Sequence, residues 1–450
     1  MPPSTVENAL HIVFVCPDAG PLFDTREQGD IGGMERRMWL FATALAQKYD
    51  DCRVSAMVCS RRGRRVDDSG MVRLIPLKEF RAGWLQRMAD ETYEAVQVRP
   101  RPPFIKVDTK AGGWNRSLPW KLLCRGVWVP WSLATFKRAR SQPHARLEFA
   151  RLRADLLITF GANIYSANAI ASAKRFGFTS VLATASDSDY HIVVGSGYPS
   201  DVKHRAAAAR FCLERADYII GQTEKQRELL RDGPFRRDCL VIRNPVLVPH
   251  SLDKLHQSAR ERILWVGRAD HHHKRPRLLL EIARRLPRLK FQMVMNRTDS
   301  NLYSQIVAEA PGNVAISDGL RPDEMAGCIG RSAMLASTAA RDQEGFPNIF
   351  LEAAVQGTAV VSLEADPDAA LSTKGLGVCC NGDLEKMADV IDRLSRDERE
   401  RECIAQRALE YVEANHNLDA QVAELHDFLL SIGPRKGERA AIECSGKAAI

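Results

Sequence analysis

A chain of 450 residues is too long for one hydrophobic core, so two domains of about 200 residues each are expected. Hydrophobic residues at 45% and charged residues at 27% describe an ordinary soluble globular protein. The net charge of +8 suits anionic substrates or an anionic membrane surface, and is too weak by itself to indicate nucleic acid.

The first apolar run, LHIVFVC at 10–16, is too short for a signal peptide and reads as a buried strand. No uninterrupted apolar stretch of about 18 residues occurs, so no spanning helix is expected. A loop rich in Asp, Gly and Pro leads to Gly32-Gly33 and the helical stretch MERRMWLFATALAQ. Strand, glycine-bearing loop and helix open a parallel α/β domain. Paired glycines let backbone approach a ligand at a helix start, although a plain tight turn needs them equally. The spacing of Gly29, Gly32 and Gly33 is not the dinucleotide fingerprint. Arg53 to Cys59 reads as a second strand.

Between 84 and 146 the character changes. Trp84, Trp114, Trp120, Trp128 and Trp131 stand among Arg99, Lys106, Arg116, Lys121, Arg125 and Lys137. Indoles beside cations suit a membrane interface, where rings sit at headgroup depth and cations meet anionic lipid. Stacking on sugars would use similar residues, and so would a helical insertion whose tryptophans pack into its own domain. No nucleic-acid-binding motif accompanies them.

Alternation resumes at Asp155 with strand LLITF, a helix over Ser166 to Phe176, strand TSVLATA and a helix over Val202 to Arg215. Strand YIIG, a helix after Thr223 and strand CLVI follow. Repeated βα units imply a parallel sheet, which binds ligands beyond its strand C-termini. That places Ser186, Asp187, Ser188 and Asp189 at a cleft, with His191 close behind. After RNPV at 243–246, the polar stretch 247–260 reads as an interdomain linker.

The second half opens with a strand at Arg262 to Val266, the loop GRADHHHKRP and the helix RLLLEIARRLP. Arg268 and Lys274 stand six residues apart on that loop. Two fixed cations can stabilise negative charge growing on a leaving phosphate in place of a metal, whereas isolated loop cations are usually surface charges. His271, His272 and His273 are consecutive, so they cannot easily share one metal, and they read as partly exposed loop residues. Strands are expected at Phe291 to Met295, Asn313 to Ile316, Ala333 to Ser337 and Thr358 to Leu363. Between the last two lies RDQEGFPNIFLE at 341–352, with Glu344 on a loop, Pro347 in a first helical turn, Glu352 on the second turn and Gly357 at the far end. Free N–H groups at such a helix start take phosphates, and carboxylates accept sugar hydroxyls. Two acids on a solvated helix face would look similar. LEKMADVIDRL and later helices finish the domain, and 433–450 lacks periodicity and reads as a mobile tail.

Eleven cysteines without a C-x-x-C suggest neither a disulfide framework nor a zinc site, and favour a reducing compartment.

EGFPNIFLEA resembles the E-x7-E element of retaining glycosyltransferases of the family 4 type, whose fold, GT-B, is α/β with two Rossmann-like parallel-sheet domains facing across a cleft. The resemblance extends to V-G-R-x5-K at Gly267, Arg268 and Lys274, and to GG-x-E-R at Gly32, Gly33, Glu35 and Arg36. It implies that Glu344 touches the donor sugar and Glu352 the nucleotide ribose, while Arg268 and Lys274 grip the diphosphate. Amides around Gly345, Phe346, Pro347 and Asn348 assist, Leu320 closes over the base, and Gly32 and Gly33 face the phosphates from the other wall. Many relatives carry a His after the strand that here ends at Ala185. Ser186-Asp187 stands instead, which makes Asp187 the candidate for that role, with a helix-capping or turn-forming Asp as the rival. The expected layout is an acceptor-side domain at 1–250 carrying the 84–146 insertion, a nucleotide-sugar domain at 251–410, a helix at 411–432 crossing back, and the tail.

The activity implied is transfer of a sugar from a nucleotide diphosphate to a hydroxyl of a sugar or lipid-linked acceptor, with retention. No cofactor and no metal are expected, nor nucleic acid as a partner. The expected location is cytoplasmic, with peripheral membrane contact through 84–146. A sugar-nucleotide epimerase, a phosphorylase using pyridoxal phosphate and a non-catalytic nucleotide-sugar-binding protein are the alternatives.

Overall fold

The computed structural model describes residues 9–27, 31–59, 65–77, 143, 145–194, 203–248 and 260–433. The tryptophan- and arginine-bearing stretch at 84–142, much of the linker and the tail after 433 lie outside the described residues.

In the first domain the strands are β1 (Leu10–Val15), β2 (Cys52–Val58), β3 (Arg73–Pro76), β4 (Leu156–Phe160), β5 (Thr179–Ala183), β6 (Tyr218–Gly221) and β7 (Leu240–Val241). They form one parallel sheet in the order 3-2-1-4-5-6-7. All six residues of β1 are buried, because helices cover both faces of a parallel sheet and alternation is lost. The helices are α1 (Gly33–Lys48), α2 (Ile164–Phe176), α3 (Ser188–Val194), α4 (Lys203–Arg215) and α5 (Glu224–Asp232). Sequence patterning passed over β3, a short edge strand, and overestimated β7, which is two residues long.

The second domain repeats the plan with β8 (Arg262–Arg268), β9 (Lys290–Asn296), β10 (Val314–Ser317), β11 (Ser332–Ser337), β12 (Ala359–Ser362) and β13 (Val378–Cys379) in the order 10-9-8-11-12-13. Its helices are α6 (Pro276–Arg285), α7 (Ser300–Glu309), α8 (Pro322–Gly330), α9 (Asn348–Val355), α10 (Leu384–Arg396) and α11 (Glu398–His416). In both sheets the strand order reverses beside the first strand, at β1/β4 and at β8/β11. Loops leaving neighbouring strands there diverge to opposite faces and open a crevice. At α9, Pro347 is the N-cap with extended backbone (ψ 116°) rather than a member of the first turn, and Gly357 follows the helix at φ +61°.

The last helix, α12 (Leu418–Ile432), belongs to the first domain's core. The chain breaks at Asn417, whose side chain caps the N–H groups of Asp419 and Ala420. Leu418, Val422, Leu425 and Leu429 then pack with residues of β1 and α1. Each such buried aliphatic side chain contributes about 1.5–3 kcal/mol. The two crossings between domains run side by side, with Val246 N donating to His416 O (2.9 Å) and Leu418 N to Val246 O (3.1 Å).

All nine cysteines among the described residues are free thiols. Among those residues no helix is long and apolar enough to cross a membrane.

Candidate functional site

A cleft of about 2010 Å³ lies between the domains, walled by the loops that follow β1, β4, β5, β8, β9, β10 and β11. Its most densely charged point is made by two loops of the second domain that are stitched together. Trp265 Nε1 donates to Thr338 Oγ1 (2.9 Å), and that hydroxyl donates to Lys274 O (2.6 Å). Ala340 N donates to His273 O (2.9 Å). Arg275, in left-handed backbone at φ +49°, donates from Nε to Thr338 O (2.8 Å) and from Nη1 to Glu364 (2.9 Å). Gly267 must lack a side chain, since a Cβ there would lie 2.7 Å from the Trp265 ring.

Those contacts deliver Lys274 and His273 to one carboxylate. Lys274 Nζ pairs with Glu344 Oε1, and His273 Nε2 approaches the same oxygen at 2.8 Å, close but poorly aligned for a hydrogen bond. Burial pushes the Glu344 carboxyl upward, but Lys274 and His273 outweigh it and hold the group well below the usual carboxylate range. Arg268 Nη2 lies 2.9 Å from His273 Nδ1. A guanidinium only donates, so Nδ1 is the acceptor in this pair. Asp270 sets this turn by accepting from the backbone N–H groups of His272 and His273 (both 2.8 Å).

Glu352 has a different setting. Arg36 Nη1, from the opposite domain, lies 2.8 Å from its carboxylate. Burial raises the Glu352 carboxyl, with Arg36 pulling the other way. On the same first-domain turn, burial raises the Glu35 carboxyl, with the backbone N–H groups of Glu35 and Gly32 pulling the other way. Asn348 Nδ2 donates to Gly33 O (2.8 Å), so Gly33 is a point where the domains touch.

Of the residues singled out from sequence, Gly32, Gly33, Gly267, Arg268, Lys274, Leu320, Glu344, Phe346, Pro347, Asn348 and Glu352 all line the cleft. Leu320, with Val266 and Ile349, packs against one hydrophobic core of the second domain. Gly345 does not line the cleft; a Cβ there would lie 2.6 Å from both Gln222 Oε1 and Gln226 Nε2. Asp187 is also behind the wall, 2% exposed, bonded to Lys225 Nζ (2.8 Å) and Gln226 Nε2 (3.1 Å). Burial raises its carboxyl while Lys225 opposes the shift. The carboxylate thus pairs with side chains of α5 and neither lines the cleft nor caps a helix.

His273 was passed over as a loop histidine, and His271 and His272 are indeed exposed. The usable signal was Asp270, a turn-forming residue whose carboxylate accepts from the amides two and three positions on, at His272 and His273.

Residues 268–427 match a family model described as glycosyl transferase-like. No curated protein matches the chain. Among solved structures, sucrose-phosphate synthase from Thermosynechococcus elongatus superposes with a TM-score of 0.66 at 14% identity, covering 94% of this chain and 99% of that one. Anabaena HepE in complex with UDP-glucose gives 0.61 at 13%, covering 94% and 100%. The α,α-trehalose 6-phosphate synthase from Burkholderia multivorans gives 0.56 at 13%, covering 97% and 98%. At such identities the likeness shows the fold, which is GT-B.

Proposed function

We propose that the protein is a retaining glycosyltransferase of the family 4 type, which moves a sugar from a nucleotide diphosphate to an acceptor hydroxyl. The observation that supports this most is the meeting of Lys274, His273 and Glu344 at the ends of β8 and β11, with Arg268 bonded to His273. A carboxylate held ionised accepts hydroxyl hydrogens of a sugar. Cations a few ångströms away take the charge that grows on a departing phosphate.

In this reading Arg268 and Lys274 hold the diphosphate, without a metal. Glu344 orients the sugar, Glu352 accepts from the ribose, and Leu320 lies against the base. The bond from the anomeric carbon to the phosphate oxygen breaks on the face where the acceptor oxygen attaches. The acceptor proton passes to the departing phosphate, and configuration is retained. Asp187 acts from behind the wall by holding Lys225 and Gln226. The acceptor is a sugar or a lipid-linked sugar; in the second case the 84–146 stretch provides contact with the cytoplasmic face of a membrane.

A thermal-shift screen against UDP-, GDP- and ADP-sugars tests the donor, since stabilisation grows with ligand concentration over dissociation constant. HepE was solved with UDP-glucose, so UDP-sugars head the panel. The donor that stabilises the protein should yield a glycosylated product with an added acceptor. Stabilisation without transfer to any acceptor would instead indicate a binding protein, and a new free nucleotide sugar would indicate an epimerase.

A further inference from the structure

We propose that Gln222, at the end of β6 in the first domain, is a positioning residue for the 344–348 turn of the second, so that the donor side is complete only in the closed arrangement. This rests on the transfer reading above.

The side chain of Gln222 is engaged at both its oxygen and its nitrogen. Its Oε1 accepts from Phe346 N (3.0 Å) and Asn244 Nδ2 (3.2 Å), and its Nε2 donates to Thr184 O (2.8 Å). Donors on one side and a carbonyl on the other fix the amide in one orientation. Asn244 Nδ2 also lies within bonding distance of Phe346 O (2.9 Å) and Asn348 Oδ1 (2.8 Å), so its two hydrogens are shared among three acceptors. Both backbone groups of Phe346 are therefore held by first-domain amides, two residues after Glu344. Gly345 permits the approach, because a Cβ would lie 2.6 Å from both Gln222 and Gln226.

A second grip acts at the other end of the same first-domain turn. Asp368, of the second domain, accepts from Glu224 N (3.0 Å) and Lys225 N (3.1 Å), which caps α5 from across the seam. Its own backbone is left-handed at φ +48°, a conformation unfavourable for Asp that the cap offsets. Lys225 Nζ bridges Asp187 (2.8 Å) and Asp342 (2.9 Å), one on each domain. Residues 222–226 are thus clasped by the second domain at Phe346, Asp342 and Asp368. Opening the seam would strip the buried Phe346 N–H of its partner and release the peptide that follows Glu344.

The test approaches the contact from both sides with Gln222→Met, which removes the hydrogen bonds at similar volume, and Gly345→Ala, which pushes the turn away. Hydrogen exchange at the amides of residues 345, 346 and 348 should accelerate about tenfold or more in each, with thermal unfolding still cooperative. For transfer, kcat should fall by about 10–100-fold while the donor KM changes less than about threefold, with donor hydrolysis rising relative to transfer. If Gln222→Met does not fold, Gly345→Ala alone carries the same expectations. Asp368→Ala should speed exchange at 224–226. Exchange at Phe346 unchanged in the folded variants, or a rise in KM at constant kcat, would overturn the proposal. Wild-type protein that transfers nothing would defeat the transfer reading instead, and the exchange data would still decide whether Gln222 holds the turn.

Discussion

The two walls of the cleft are built differently. The second-domain wall carries a charged cluster whose members are its own: Glu344 finds Lys274 and His273 within that domain, on loops tied to each other through Thr338 and Arg275. The first-domain wall works mainly through the side-chain amides of Gln222 and Asn244, and its cation Arg36 lies against Glu352 across the gap. The charged cluster is organised within one domain, whereas the turn after Glu344 and the first-domain wall gain their partners by closing. An anion-handling site needs charges fixed in advance, because reorganising them during reaction would cost the stabilisation they provide.

The largest effect that sharpens this contrast is expected at Glu344. Glu344→Gln keeps the shape and removes the charge, and transfer should fall about 10²–10³-fold in initial-rate assays. Stability should fall as well, by about 1–3 kcal/mol in denaturant titration, since Lys274 and His273 would face a neutral amide in a buried site. A carboxyl held low in the folded state contributes stability that is present above its unfolded value and lost as pH falls toward the folded one. The variant's deficit should therefore shrink in acid. Wild-type turnover in Glu344→Gln would remove the charged wall from the mechanism.

The next effect lies where the walls are hinged. His416 is wholly buried at the second crossing, with Nδ1 donating to Asn244 O (2.8 Å) and its ring 4.3 Å from that of Phe346. Tyr411 packs nearby, and the charge of Arg243 also disfavours protonation. Burial is the main cause that lowers the imidazole from 6.5 to about 4. A base lowered on folding contributes stability present above about pH 6.5 and lost between there and about pH 4, which for this shift is about 3 kcal/mol. Unfolding free energies taken near pH 7 and pH 4.5 should show most of that loss, and His416→Gln should lose correspondingly less. Equal losses in both proteins would place the acid sensitivity elsewhere.

How much was legible beforehand follows the same division. Both sheets were readable as βα alternation, because buried parallel strands appear as continuous apolar runs and their helices keep their own period. Arg268 and Glu344 read as loop residues directly beside Gly267 and Gly345, and the motif spacing that the resemblance supplies added Lys274, six residues after Arg268, and Glu352, eight after Glu344. Gln222 and Asn244 could not be singled out. Nothing near either residue announces that Phe346, more than a hundred positions away, will present its peptide to them. Asp187 shows the opposite case: its position at a strand end suggested the cleft, while Lys225 and Gln226 draw its carboxylate behind the wall. His273 was recoverable in principle through Asp270, a purely local turn.

The smallest expected effect contrasts the two acids directly. In the proposed site Glu352 meets the ribose, far from the bond that breaks, so Glu352→Gln should raise the donor KM by about tenfold and leave kcat within about threefold. Its carboxyl is raised by burial, so the folded state binds the proton more tightly than the unfolded chain and wild-type stability gains as pH falls through that raised value toward the unfolded one. Glutamine carries no such cost, and Glu352→Gln should melt at or above the wild-type temperature, unlike Glu344→Gln. Arg36→Ala should do the reverse, lowering the melting temperature by leaving Glu352 buried without its cation. Combining the two substitutions should recover most of that loss, with a coupling of about 1 kcal/mol. Should both glutamine variants lose stability alike, the two carboxylates would share one kind of environment and the contrast between the walls would fail.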